Sequence, residues 1–193
     1  MIFLMARTSR LQRRAERQDE TRQRIVEAAV ALHTTVGPAH TTVSAIAEGA
    51  GVQRHTFYRH FPDDRSLFQA CSALWYDRHP LPDLSALSAI ADAHARLRAA
   101  LQGLYAFYEA NAAEMIPIAR DAEIHTLTRE VLEQHIGPVF GALVPMLAAP
   151  FGARGARRRR LETTLALFLN FDTWRGLRGP DAVEIAVRAI GAQ

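Results

Sequence analysis

The feature that most constrains this chain is a pair of glycines, Gly49 and Gly51, set between two short apolar-periodic segments. Ahead of them Val43, Ile46, Ala47 and Ala50 recur at i, i+3, i+4 and i+7, which is one face of a helix. Thr42 carries a hydroxyl that can accept an orphan backbone N–H of that helix's first turn. A glycine just past a helix accepts the left-handed backbone of a C-terminal cap, so either Gly49 or Gly51 can stop it. A second helix then begins near Gln53, with Val52, Phe57 and Phe61 inward. Two short helices joined by so tight a turn predict a helix-turn-helix over residues 41–61.

The outward positions of the second helix are Gln53, Arg54, His55, Thr56, Tyr58, Arg59 and His60. Arg and Gln can bond base edges in a major groove, and a Thr methyl can meet a thymine methyl. Tyr, Thr and His can hold phosphate oxygens and fix register on the duplex. Thr41 and Thr42, at the mouth of the first helix, join this candidate DNA-binding set. The alternative, an ordinary helical hairpin with a solvated face, does not call for so dense a row of donors.

A chain of 193 residues fits one or two domains and allows a sizeable core. The net charge is +3, and all 23 basic side chains are Arg. Guanidinium groups offer planar, bidentate donors to phosphate and guanine. The single cysteine, Cys71, excludes an internal disulfide and a multi-cysteine metal site, and its place in an apolar stripe makes it a core residue. The opening MIFLM is too short for a signal segment and has no basic residues ahead of it. No stretch approaches the roughly 20 apolar residues of a bilayer span, so the chain is expected in the cytoplasm, with no membrane partner and no cofactor.

Three segments are expected. Residues 1–17 form a flexible basic arm, with Arg7, Arg10, Arg13, Arg14 and Arg17 against one acid, Glu16. Such an arm is either a solvated tail or a reach toward phosphates and the minor groove. Residues 18–78 form the DNA-binding part: a first helix from Gln18 to Val36 ended by Gly37-Pro38, the hairpin, and a third apolar stripe of Leu67, Phe68, Cys71, Leu74 and Trp75 capped by Asp63 or Asp64. Residues 79–193 are helical throughout, without strand-like alternation. One helix there holds Leu97, Leu101, Leu104, Tyr105 and Tyr108, and a short one runs from Met115 to His125. The stretch from Leu127 to Leu147 should kink or break at Gly137-Pro138 and Pro145. A helix from Leu161 to Trp174 and a last one capped by Asp181 close the chain.

On the leading IVEAAVALHTTVG and on TTVSAIAEGAGVQRHTFYRHFPDDRSLF, the sequence resembles the TetR (tetracycline-repressor-like) family of transcriptional regulators. The matching positions are Thr41, Thr42, Ile46, Ala47, Ala50, Gly51, Val52, Thr56, Phe57, Tyr58, Phe61, Leu67 and Phe68. Tyr58 and His60 match phosphate-contacting positions of the family. Two departures stand out. Asp64 occupies a place where a phosphate-holding lysine is usual, so either Arg65 takes over that contact or it is lost. His55 stands where a glycine is common.

The resemblance implies an all-α protein: an N-terminal three-helix helix-turn-helix domain and a C-terminal helical domain for ligand binding and dimerisation. It implies a regulator, in the usual case a repressor, that binds a pseudo-palindromic double-stranded DNA operator as a homodimer and lets go when a small molecule binds. The last long helices usually build the dimer, which points to Leu161, Leu165, Phe168, Val183, Val187 and Ile190. Candidate liners of the ligand pocket are Trp75, Tyr105, Tyr108, Met115, Arg120, Asp121, Asn170, Phe171 and Trp174. Aromatics at helical spacing equally describe a core; Asn170 and Asp121 are better clues, since buried polar groups need partners. Phe168 and Phe171 fit either the pocket or the bundle. An enzyme is not expected: no G-x-S-x-G, HExxH or phosphate-binding glycine loop occurs, and no His pair has metal-ligand spacing. The run Arg157 to Arg160 reads as a solvated helix start.

Overall fold

The computed structural model describes the backbone over residues 2–191 and side chains over 12–191. Nine α-helices and no strand occur among the described residues: α1 (Ile2–Thr35), α2 (Val43–Gly49), α3 (Arg54–His60), α4 (Asp64–Arg78), α5 (Ala93–Ala122), α6 (Thr126–Ala148), α7 (Gly155–Leu169), α8 (Phe171–Leu177) and α9 (Ala182–Gly191). They gather into two compact units. The first takes the chain up to Arg78 together with Ile116–Val131; the second takes His79–Met115 and the chain from Leu132 onward.

In the first unit α1 packs on α2 and α4. Its apolar stripe, with Ile25 and Ala29 fully enclosed, joins Ile46, Ala47, Phe57, Phe61, Leu67 and Cys71 in the core. The expected basic arm is not a separate segment: α1 begins at Ile2, and residues 12–20 are helical with exposed side chains. Arg7 and Arg10 lie outside the described side chains, so only Arg13, Arg14 and Arg17 of that group are placed. Helix propensity explains the continuation, because Arg, Gln, Glu and Ala are all good helix formers. Asp63, not Asp64, caps α4, its carboxylate accepting the N–H of Ser66 at 2.7 Å.

The second unit is built on the buried side chains of α5 (Leu97, Leu101, Leu104), α6 (Leu143, Leu147), α7 (Leu161, Leu165, Leu169), α8 (Phe171, Trp174) and α9 (Val187, Ile190). Arg96 ties its connector down, its guanidinium donating to the carbonyls of Ile90 at 2.7 Å and Ser88 at 3.1 Å. Arg98 and Glu184 form an ion pair between α5 and α9.

Three boundaries differ from the sequence reading. α5 runs on through Pro117 as one helix of 30 residues, so no separate helix starts at Met115. α6 likewise continues through Pro138 and Pro145. Each proline forfeits one backbone bond; good helix formers, Ala113, Glu114 and Met115 before it and Ala119 and Arg120 after it, carry α5 across Pro117. Conversely, the helix expected from Leu161 to Trp174 is cut at Asn170, whose ψ of 141° is extended and whose Oδ1 accepts the N–H of Asp172 at 2.7 Å, starting α8. The membrane reading also changes: Thr126–Phe151 is long and apolar enough to cross a bilayer by length and composition, although it carries Arg129, Glu130 and Glu133 in its first turns.

Candidate nucleic-acid interface

The hairpin is locked by local chemistry. Thr42 has an extended backbone, and its hydroxyl accepts the N–H of Ala45 at 3.2 Å, capping α2. Of the two glycines it is Gly51 that stops the helix, at φ +63°. The N–H of Val52 bonds the carbonyl of Ala47 at 2.9 Å and that of Gly51 bonds Glu48 at 3.0 Å. This pair of bonds satisfies carbonyls that the helix end would otherwise orphan. A non-glycine residue at position 51 would be strained in that backbone conformation.

Helix α3 follows, anchored by Phe57 and Phe61, which are 2% and 1% exposed. The Arg22 guanidinium lies 4.4 Å above the Phe61 ring and adds a cation–π contact from α1. With these anchors inside, Gln53, Arg54, His55, Tyr58 and Arg59 are exposed, and Thr56 and His60 half-buried. Tyr58 is 47% exposed although it packs edge-on against Phe57, ring centres 5.4 Å apart, so its hydroxyl end is carried outward on a fixed ring. Gln53 is the N-cap residue of α3 yet makes no capping bond among the described residues, which leaves its amide available to a partner.

The other candidates are more constrained. Thr41 donates its hydroxyl to the carbonyl of Gly37 at 2.8 Å, so its proton is already committed. Thr42 accepts in its cap and keeps its proton to give. The Nε2 of His60 is buried without a partner among the described residues, so a contact from outside falls to Nδ1. Burial first, then the cations of Arg59 and Arg22, lower the His60 pKa, with Asp19 opposing. Arg65, the candidate replacement for the missing lysine, is paired with Glu130 of α6, both side chains nearly half exposed. Nothing in the sequence flags Glu130, which lies 65 residues away.

A capped helix, a glycine turn and a donor-covered second helix on an apolar anchor define a helix-turn-helix DNA-binding protein. Residues 25–71, which span that hairpin and parts of the helices flanking it, match the model for bacterial regulatory proteins of the tetR family. The family's mark thus lies on the DNA-binding segment, and the fold of the chain agrees with that of solved transcriptional regulators. It is similar to a transcriptional regulator from Rhodococcus sp. Rha1, with 22% identity, 89% of this chain and 94% of that one covered, and a TM-score of 0.56. It is also similar to a tetR-family regulator from Streptomyces coelicolor, with 19% identity, coverage of 90% and 78%, and a TM-score of 0.53. A third similar structure is RolR in complex with resorcinol, with 21% identity, coverage of 91% and 88%, and a TM-score of 0.52. No curated protein matches the chain significantly.

The pocket candidates are divided between the two units. Trp75 is buried in the first unit, edge-on to Tyr76 with ring centres 5.1 Å apart. Arg120 and Asp121 also belong to the first unit, whereas Met115 is half-buried in the second. Within the second unit Tyr105, Tyr108, Phe171 and Trp174 come together, all less than a tenth exposed, with Tyr108 5.3 Å from Phe171 and 5.7 Å from Trp174 between ring centres. Tyr105 and Tyr108 donate their hydroxyls to the carbonyls of Phe168 and Leu169 at 2.8 and 2.7 Å. These are carbonyls that the break at Asn170 frees from the helix. Burial pushes the Tyr105 hydroxyl up to about 12, which keeps it a neutral donor. Asn170 itself is exposed and committed to its cap.

The dimer candidates differ in burial. Leu161, Leu165, Val187 and Ile190 are between 0% and 5% exposed within this one chain, so they build its own core and present no surface to a partner. Phe168 and Val183 are half-buried. The exposed apolar side chains of α7 and α9 are Leu167 and Ile185, at 57% and 46%. A sequence signal for them exists: each lies off the apolar stripe of an otherwise amphipathic helix.

Proposed function

We propose that this chain is a ligand-responsive transcriptional repressor, acting in the cytoplasm, that binds a pseudo-palindromic operator as a homodimer and releases it when a small molecule binds. The observation that carries the reading is the row of exposed donors Gln53, Arg54, Tyr58 and Arg59 on a hairpin of TetR type, with His55 and Thr56 beside them bonded to each other at 3.3 Å. In it Gln53 and Arg54 read base edges, helped by His55 and Thr56. Thr42, Tyr58, Arg59 and His60 hold phosphates, and Arg13, Arg14 and Arg17 add positive charge along α1. Thr41 contributes through its turn bond. Arg65 reaches a phosphate only by leaving Glu130. Regulators of this kind act by binding, not catalysis.

The dimer forms through the outer faces of α7 and α9, around Leu167 and Ile185, since apolar side chains left in water on adjacent helices gain from mutual burial. Residues 79–193 supply the ligand-binding and dimerisation part, less the 116–131 segment that packs with the first unit. The effector site is the aromatic group of Tyr105, Tyr108, Phe171 and Trp174, which suits a small aromatic compound; the likeness to RolR with its resorcinol supports that class. A ligand that favours one of two states shifts DNA affinity by its differential binding to them.

Selection of binding sites from a library of random duplexes tests this reading. The expected product is a two-fold repeated half-site with centres about one helical turn or a multiple apart. Recovery of no sequence preference would overturn it.

A further inference from the structure

The side chains of Arg120 and Asp121, near the end of α5, close on the connector between α1 and α2 from more than eighty residues away. Asp121 is wholly inaccessible to solvent; its Oδ2 accepts the N–H of Ala39 at 2.8 Å and its Oδ1 accepts Arg120 Nε at 2.7 Å. The Arg120 Nη2 donates to the carbonyl of Val36 at 2.7 Å, placing a cation at the C-terminal end of α1, where the helix dipole favours one. Between these two anchor points Gly37 adopts φ +99°, and a Cβ there would collide with Asp121 Oδ2 and the Arg120 guanidinium. The connector then continues without slack: Thr41 donates to the Gly37 carbonyl and Thr42 caps α2. Burial pushes the Asp121 carboxyl up, but the Arg120 bond, the Ala39 N–H and the charges of Arg120 and His40 outweigh it and hold the group below the usual carboxylate range. The same segment also meets α4, through the His125 ring on Phe68 and through Glu130 on Arg65.

We propose that Arg120 and Asp121 are a positioning pair: they fix the α1–α2 connector, and with it the start of α2, in the one conformation that lets the helix-turn-helix bind its operator. A buried, paired carboxylate is an all-or-none contact, because losing one partner leaves an uncompensated buried group. The pair therefore holds the connector in a single arrangement, and any event that displaces residues 116–131 releases it. The geometric part stands on its own; the consequence for DNA rests on the function proposed above.

The test uses the full chain with Asp121→Ala and, because the Arg120 side chain is half exposed and its loss threatens the fold less, Arg120→Ala. Operator and scrambled duplex affinities are measured beside amide hydrogen exchange. Asp121→Ala is expected to weaken operator binding roughly tenfold and Arg120→Ala about threefold, with scrambled-duplex affinity nearly unchanged. Exchange should accelerate over residues 39–46 while α7 and α9 stay protected. Unchanged operator binding and unchanged exchange at 39–46 in both variants would overturn the proposal. So would parallel losses on scrambled DNA and in α7 and α9, which mark general destabilisation. A wild-type chain that fails to tell operator from scrambled duplex overturns the DNA-binding reading instead, and the exchange at 39–46 then still decides the positioning role.

Discussion

The hairpin of α2 and α3 and the junction of α7 and α8 are both helix–turn–helix breaks rich in polar side chains, yet they use those side chains oppositely. At the hairpin the backbone closes its own turn, through Gly51 and Val52, and Gln53, Arg54, Tyr58 and Arg59 stay exposed and uncommitted. At the α7–α8 junction the backbone bond of Asn170 to Leu167 is joined by side chains drawn into the turn: Asn170 caps α8, and the hydroxyls of Tyr105 and Tyr108 donate to the freed carbonyls. A polar residue beside a helix break therefore signals binding only when the backbone has no use for it.

Four substitutions or titrations press on this contrast. The largest effect is expected where apolar side chains are left in water. Leu167→Asp with Ile185→Asp should convert a dimer to a monomer on a sizing column, each buried side chain contributing about 1.5–3 kcal/mol; an unchanged dimer would move the interface elsewhere. Next is His33, a buried ring packed on Phe68, whose pKa is lowered from 6.5 to about 4 by burial, then by the charge of His125, against Asp121. The unfolded chain takes up its proton at the higher value. Stability from the neutral ring is therefore complete above about pH 6.5 and declines as pH falls toward about 4, by on the order of 3 kcal/mol in total. Thermal unfolding across that range should show His33→Leu losing this part of the acid sensitivity.

A smaller effect belongs to the committed hydroxyl. Tyr108→Phe leaves the Leu169 carbonyl without its side-chain donor and should cost about 1–3 kcal/mol in chemical denaturation, whereas Tyr58→Phe, on the uncommitted side, should leave stability unchanged and weaken DNA binding. Equal stability losses in the two variants would erase the contrast. Smallest is Glu130→Gln. An exposed ion pair contributes about 1 kcal/mol or less, so stability should barely move. Freed Arg65 should then gain a phosphate, making the salt dependence of operator binding steeper by about one counterion.

Much of the hairpin is legible because its signals are local: a capping Thr, a glycine stop and an apolar stripe all fall between Thr41 and Phe61. The flanks are less so. Nothing near Asp121 in sequence indicates that its partner is the N–H of Ala39, and nothing near Glu130 points to Arg65, since both contacts are made by folding alone. Asp121 and Asn170 read as pocket residues on the sound ground that polar groups in apolar surroundings need partners; Asn170 finds a backbone amide, and Asp121 a backbone amide and the Arg120 guanidinium. The apolar stripes of α7 and α9 read as a dimer face because a stripe shows that a helix is covered, but not whether its own chain or another covers it. Pro117 misleads for a related reason: its local cost is real, and the surrounding helix outweighs it.

Whether α3 presents its donors to DNA is decided by two dissociation constants of the wild-type chain, one for a selected operator duplex and one for a scrambled duplex. Each is measured by band shift or fluorescence anisotropy at about 50 and 200 mM salt. The operator should be bound at least about a thousandfold more tightly, and both affinities should fall steeply with salt. Equal affinity for the two duplexes, or binding indifferent to salt, would mean that α3 does not read DNA.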